Sequence, residues 1–164
     1  SNLGLEQALD SLDIPFVRSA VGDRYVMREL LGRGWSLGGE SSGHIICLDK
    51  TTTGDGIVSA LQALSAISRT ERSLAELTSK LNKYPQSMVN VRITDSADIA
   101  GSSRVQKAVA DVESKLGSKG RVLLRPSGTE PVMRVMVEGE DAAEVLKLAI
   151  ELAEVVEKEV GAAA

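Results

Sequence analysis

The sequence predicts an α/β segment followed by a smaller α+β segment. Helical and strand patterns alternate through the first half of the 164 residues, which is typical of α/β folds. The second half reads β-α-β-β-α, an order that favours helices on one face of a mainly antiparallel sheet. Pro85 follows a short helical pattern between the two halves. We therefore divide the chain into residues 1–84 and 85–164.

Four helices and two short strands are expected in residues 1–84. Apolar residues recur at helical spacing over 5–12, 26–31, 57–67 and 74–81. Asp23 is expected to cap the second helix, and Gly32 and Gly34 to end it. Ser73 and Glu76 predict a capping box for the fourth helix. Its inward residues should be Leu74, Leu77 and Leu81. The strands are expected near 35–38 and 44–48, with a glycine-rich loop between them.

The second half starts with a strand of period two. Val89, Val91 and Ile93 alternate there with Asn90, Arg92 and Thr94. Apolar residues over 105–116 then predict an amphipathic helix that ends at Gly117. Strands are expected at 121–125 and 132–138, and a long helix at about 141–160. The residues expected to face inward on that last helix are Leu146, Ala149, Ala153, Val156 and Val160.

Composition excludes several classes of function. The net charge of −4, from 19 basic and 23 acidic residues, argues against a nucleic-acid binder with a basic face. Four aromatic residues are too few for platforms that stack bases. No apolar run reaches the roughly 18 residues of a membrane-spanning helix. The single cysteine, Cys47, excludes an internal disulfide and fits a reducing cytoplasm.

Residues 125–131, Arg-Pro-Ser-Gly-Thr-Glu-Pro, carry the strongest chemical signal. They connect two apolar strands where a plain hairpin needs only two residues. Arg125 can grip an oxyanion with two parallel bonds, and Ser127 and Thr129 add hydroxyl donors. Gly128 gives the backbone freedom to turn its N–H groups inward, and Arg134 is the one charge inside the next strand. Together they suit a phosphate; the alternative is an ordinary Ser-Gly turn beside a solvent-facing arginine.

A second polar loop, Gly-Glu-Ser-Ser-Gly-His at 39–44, suits sugar hydroxyls. Glu40 accepts hydrogen bonds, while Ser42 and His44 can donate or accept them. The alternative is a glycine-rich hairpin with an exposed glutamate. Residues 21–25 and the threonine-rich residues 49–56 are interpreted as helix caps. Cys47, flanked by apolar neighbours, is expected to be a buried thiol.

The two loops, in this order and with a helical stretch between them, resemble the α-D-phosphohexomutase superfamily. Residues 21–26 and 48–56 are more similar to its bacterial phosphoglucosamine mutases than to its phosphomannomutases or phosphoglucomutases. The resemblance covers essentially the whole chain, but only the C-terminal part of such an enzyme. It implies that residues 1–84 are the later part of an α/β domain three, and residues 85–164 a small α+β domain four that closes over substrate.

The resemblance also implies roles for single residues. Glu40, Ser42 and His44 would belong to the loop that reads the sugar hydroxyls. Arg125, Ser127, Gly128 and Thr129 would hold the phosphate that is not being transferred. The whole enzyme would interconvert glucosamine 6-phosphate and glucosamine 1-phosphate, through a phosphoserine and a bisphosphorylated sugar, for UDP-N-acetylglucosamine and the bacterial cell wall.

Two family strings are missing from the sequence. Neither the Ser-His-Asn-Pro-type phosphoserine loop nor the Asp-Gly-Asp-x-Asp-Arg-type magnesium loop occurs. We therefore expect no catalytic or metal-binding residue in this chain, which should bind an amino-sugar phosphate and be inactive alone. The Mg²⁺ ligands and the partner domains would lie in the N-terminal part of the same protein. The alternatives are another phosphohexomutase and a phosphosugar-binding module without catalysis.

Overall fold

The computed structural model describes residues 1–93 and 99–163. It divides into two compact units, Ser1–Asn82 and Lys83–Ala164. Thr94, the last polar residue of the predicted alternating strand, lies outside the described residues.

The first unit consists of helices around a two-stranded hairpin. Its elements are α1 Leu3–Asp10, α2 Asp23–Arg33, β1 Leu37–Gly39, β2 Ile45–Cys47, α3 Gly56–Thr70 and α4 Leu74–Thr78. The strands are antiparallel, with Leu37 opposite Cys47. Val26 and Leu30 of α2 pack with Ile46 of β2 in a small buried core. Cys47 is buried, as predicted.

Two helices of this unit differ from the sequence prediction. Gly22, not Asp23, is the N-cap residue of α2. The helix then runs through Gly32 and ends at Gly34, whose φ of 67° lies in the left-handed region. The capping box of Ser73 and Glu76 on α4 is confirmed. However, Leu74 is exposed, because α4 is a short helix with no buried residue. Leu81 is also exposed and lies beyond the end of α4 at Thr78.

The second unit is a three-stranded sheet covered by two helices. Its elements are β3 Gln86–Arg92, α5 Ser103–Leu116, β4 Gly120–Pro126, β5 Val132–Gly139 and α6 Ala142–Ala163. The strand order is β3-β5-β4 with antiparallel pairing throughout. Val91, Met133, Val135 and Val137 share one face of the sheet and pack with buried residues of α5 and α6. The predicted antiparallel sheet with helices on one face is thus confirmed.

The buried stripe of α6 is offset from the prediction. Ala149, Ala153 and Val156 are buried as expected, whereas Leu146 is half exposed. The centre of the stripe runs through Val145, Leu148 and Leu152 instead. Leu146 follows Val145 by about 100° around the helix, which carries it off the face that meets the sheet.

The other face of the sheet carries charge. Alternation along the strands places Arg125 opposite Arg134, and Arg121 opposite Glu138, on the side away from α5 and α6. Glu138 is fully buried, and its Oε2 accepts a hydrogen bond from Nε of Arg121 over 2.7 Å. This face therefore carries both Arg125 and Arg134, the two arginines predicted, with the polar loop, to suit a phosphate.

Candidate functional site

Residues 40–44 form the tight connection between β1 and β2. The Glu40 carbonyl accepts a hydrogen bond from the Gly43 N–H at 3.0 Å, and the Glu40 N–H donates to the His44 carbonyl at 2.9 Å. Gly43 has a φ of 91°, a conformation that favours glycine. The turn thus fixes the backbone of the three residues predicted to read a sugar, Glu40, Ser42 and His44.

The Glu40 side chain is held by the start of helix α2. Its Oε1 accepts a hydrogen bond of 2.8 Å from the Gly22 N–H. Gly22 has φ 124° and ψ 135°, a backbone conformation that is energetically costly for residues with a side chain. Residues 21–25 were interpreted as a helix cap alone, so sequence reasoning missed this contact. The only sequence feature that could have indicated this contact is a glycine directly before the first acidic residue of the helix.

His44 is half-buried, and its ring is closely surrounded. Its Nε2 is shielded from solvent and has no hydrogen-bond partner among the described residues. Asp23 Oδ2 lies 4.0 Å from this nitrogen, too far for a hydrogen bond. The start of α2 therefore approaches both Glu40 and His44.

An open cavity of about 390 Å³ lies beside this loop. Its lining residues are Ser42, Gly43, His44, Ile45, Gly54, Asp55 and Gly56. The Asp55 carboxylate accepts from the N–H groups of Ile57 and Val58, so this segment caps α3 as predicted, but through Asp55 and not through one of its threonines. The Lys50 ammonium, 2.8 Å from Asp49, holds the pKa of that carboxyl below its usual value.

The second predicted site is the connection between β4 and β5. The Ser127 N–H donates to the Val132 carbonyl at 2.9 Å, and the Thr129 N–H lies 3.4 Å from Ser127 Oγ. Gly128 has neither a positive φ nor neighbours that an added Cβ would meet. Backbone freedom, the reason suggested by the sequence, therefore does not explain this glycine. The loop leaves Gly128 and Thr129 exposed.

Arg134 joins Arg125 at this loop. The two are direct cross-strand partners, and like charges in such positions repel each other. One terminal nitrogen of Arg134 lies 3.4 Å from Glu130 Oε2, while its Nε is buried without a hydrogen-bond partner among the described residues. Arg125 and Arg134 therefore place two positive charges at neighbouring strand positions, which a bound anion would stabilise.

No group of three or more His, Cys, Asp or Glu residues suited to a metal ion occurs in residues 1–93 and 99–163. None of the described helices has the length and apolar character needed to cross a membrane.

Two models of one protein family match the two halves of the chain. Residues 1–84 match the phosphoglucomutase/phosphomannomutase α/β/α domain III, and residues 88–155 match the C-terminal domain of the same enzymes. The chain belongs to the phosphoglucomutase/phosphomannomutase family. The predicted fold class, α/β followed by α+β, is thereby confirmed.

Relatives with high identity are phosphoglucosamine mutases. The enzyme of Alcanivorax borkumensis is 58% identical over 158 residues, which cover 96% of this chain and 36% of the relative. The enzyme of Methylococcus capsulatus is 60% identical over 153 residues, or 93% of this chain and 34% of the relative. This member of the family thus spans about a third of the length of the curated relatives it matches.

Solved structures show the same fold at low identity. An N-acetylglucosamine-phosphate mutase in its substrate complex superposes with a TM-score of 0.80 at 20% identity, over 95% of this chain and 37% of that one. The Aspergillus fumigatus N-acetylphosphoglucosamine mutase with GlcNAc-6P and magnesium gives 0.76 at 18% identity, over 95% and 36%.

Proposed function

We propose that this chain is the sugar- and phosphate-binding C-terminal part of a phosphoglucosamine mutase. The complete enzyme would interconvert glucosamine 6-phosphate and glucosamine 1-phosphate on the route to UDP-N-acetylglucosamine, in the cytoplasm. The pairing of Arg125 with Arg134 beside an open Ser-Gly-Thr loop carries the proposal, because a bound anion would relieve the repulsion between like charges at opposite strand positions. The named relatives support the choice of sugar.

Each half of the chain would supply one kind of contact. In residues 85–164, Arg125 would hold the phosphate through two parallel bonds, assisted by Ser127, Gly128 and Thr129. In residues 1–84, Glu40, Ser42 and His44 would bind the sugar hydroxyls. A loop that reads hydroxyls and a loop that reads phosphate suit a substrate that must turn round between two phosphoryl transfers.

The reacting groups would come from the rest of the protein. The described residues offer no cluster of side chains for a metal ion. We assign the Mg²⁺ ligands and the phosphoserine to the N-terminal part of the complete enzyme, where Mg²⁺ would neutralise charge on the transferring phosphoryl group. This chain alone would bind and orient the substrate without turnover.

Titration of the ¹⁵N-labelled chain with inorganic phosphate, followed by NMR, tests the phosphate site. The amides of Ser127, Gly128 and Thr129 should shift first, with an affinity on the order of millimolar because few charge-assisted contacts remain. Arg125→Ala should remove the shifts. Lys107→Ala removes the same charge from α5 and should retain them. Equal shifts in the two variants, or shifts confined to other residues, would refute the site.

A further inference from the structure

We propose that Gly54 is a positioning residue for His44. Because Gly54 has no side chain, the His44 imidazole can occupy the space beside the cavity. This role lies outside the loops predicted from the sequence. It rests on the proposed sugar-binding function of residues 39–44.

The fold brings Gly54 directly against β2. Gly54 forms an isolated antiparallel bridge with Ile46, two residues after His44. A Cβ built on Gly54 would overlap the imidazole, meeting Nε2 and Cδ2 first. The ring therefore occupies the space that any other residue at position 54 would fill with its own side chain.

Backbone conformation does not account for this glycine. The φ of Gly54 lies outside the left-handed region, unlike that of Gly43 at 91°. An added Cβ would also meet nothing within 4 Å at Gly56, which lines the same cavity. Among these glycines, only position 54 excludes a side chain by contact with a proposed ligand-binding residue.

The contact has a consequence for binding. Nε2 of His44 is shielded and lies 4.0 Å from Asp23, while 39% of the side chain remains exposed to a ligand. A side chain already held in one rotamer loses less conformational entropy on binding. Gly54 would thus raise affinity for a sugar without touching it.

The ring can be observed directly, because His44 is the only histidine of the chain. In the free chain, NOEs should connect the His44 ring protons to the Gly54 α-protons. In Gly54→Ala the ring resonances should move and NOEs from the ring to position 54 should be lost. Because the overlap involves the end of a side chain rather than backbone, most backbone amide resonances should persist. Gly56→Ala, the matched control, should leave the ring resonances in place.

Unchanged ring resonances in Gly54→Ala would overturn the proposal. Should Gly54→Ala fail to fold, the double variant His44→Ala/Gly54→Ala decides. Recovery of the folded spectrum supports a clash with the ring, and continued unfolding contradicts it.

Titration with glucosamine 6-phosphate separates this role from the proposed function. Gly54→Ala should weaken binding by about fivefold, the effect of one lost hydrogen bond. The shifts of Ser127, Gly128 and Thr129 with inorganic phosphate should stay unchanged. Suppose that the free wild-type chain shows the NOEs, but its His44 ring resonances do not shift on addition of glucosamine 6-phosphate. The proposed sugar-binding function would then be refuted, while the positioning of the ring by Gly54 would still be supported.

Discussion

A side chain of this protein can form a hydrogen bond with a backbone group that is distant in the sequence. The Gly22 N–H and the Glu40 carboxylate are 18 positions apart, yet they share a hydrogen bond of 2.8 Å. The contact ties the start of α2 to the loop proposed to bind sugar. Glu40 therefore has a structural role that can be measured without any ligand.

Glu40→Ala should lower the free energy of unfolding by about 1 kcal/mol, because the Gly22 N–H loses its acceptor. Glu40→Gln keeps an acceptor oxygen in place and should cost less than half of that. Urea unfolding of the purified chain measures both. Ser42→Ala, in the same loop, serves as the control and should leave stability unchanged. Equal losses in Glu40→Ala and Glu40→Gln would mean that the negative charge, not the oxygen, matters.

In the complete enzyme, Arg125→Ala should raise KM strongly and lower kcat as well, because the guanidinium would meet a phosphate in ground state and transition state alike. Arg125→Lys should recover only part of the activity, since an ammonium lacks the planar fork. Glu40→Gln should mainly change turnover and the choice of sugar. Competitive inhibition by inorganic phosphate distinguishes the two loops. Comparable weakening in Glu40→Gln and Arg125→Ala would contradict this division of roles.

Sequence patterns can indicate candidate residues whose proposed chemistry lies in their own side chains. The polar strings at 39–44 and 125–131 were recognisable because serines, glycines and charges cluster there between apolar strands. Gly22 and Gly54 were not, because their roles arise from a backbone N–H and from an empty volume. Both depend on which distant residue the fold brings close, and no local pattern encodes that.

At the scale of elements, β4 and β5 are joined by a buried ion pair. Glu138 is fully buried, and Arg121 is 23% exposed at its side chain. Breaking such a pair on one side leaves a charge in a medium of low polarity. The pair is therefore a sensitive point of the second unit.

Arg121→Ala should lower the free energy of unfolding by about 3 kcal/mol, in the range of broken buried pairs. Replacing the pair together, as in Arg121→Met/Glu138→Leu, should restore most of the loss because no charge stays buried. Urea unfolding followed by circular dichroism gives the comparison. A loss below about 1 kcal/mol for Arg121→Ala would be typical of a surface pair and would contradict this interpretation.

The junction of β5 and α6 should make the second unit sensitive to acid. Lys119 donates to Glu140 over 3.0 Å, and the Tyr84 hydroxyl lies 3.2 Å away. These bonds, the lysine first, lower the pKa of Glu140 below its usual 4.5. A carboxyl with a lowered folded-state pKa stabilises the fold above its unfolded pKa, and this stability is lost as the pH falls through the folded pKa.

Glu140→Gln should therefore reduce the decrease of Tm between about pH 5 and about pH 3. Thermal unfolding at a series of pH values measures the effect. Glu157→Gln removes an exposed carboxylate from α6 and should keep the wild-type profile. Identical profiles for Glu140→Gln and wild type would show that the carboxylate adds no stability at this junction.

The spacing of apolar residues predicted the presence of each element more reliably than it predicted which face of that element is buried. The amphipathic helix α5 buries Val105, Val112 and Leu116 as expected, because three turns of regular spacing fix its orientation. Leu146 and Leu74 were assigned to the interior and are exposed. In both cases the neighbouring element, or the lack of one, decides the buried face, and apolar spacing alone does not contain that information.

On the scale of the whole molecule, the first unit leaves an apolar helix face uncovered. Helix α3 has no buried residue, although Ile57, Leu61 and Leu64 follow helical spacing. These three side chains are 76%, 56% and 59% exposed. The chain covers 36% of the Alcanivorax borkumensis relative, so most of such a protein lies outside it. In a protein of the relatives' full length, we expect α3 to contact another part of the chain.

Leu61→Ser and Leu64→Ser test this inference, since their effects should depend on the length of the protein. In the 164-residue chain, the pair should leave the free energy of unfolding within about 0.5 kcal/mol of wild type, as exposed substitutions do, and should improve solubility. In a protein of the relatives' full length, the same substitutions should cost on the order of 2 kcal/mol each because the leucines would be buried. Leu30→Ser, at a buried position of α2, should be strongly destabilising at either length. Equal small effects of the α3 variants in the short and the long protein would show that this face stays in water, and that the rest of the protein docks elsewhere.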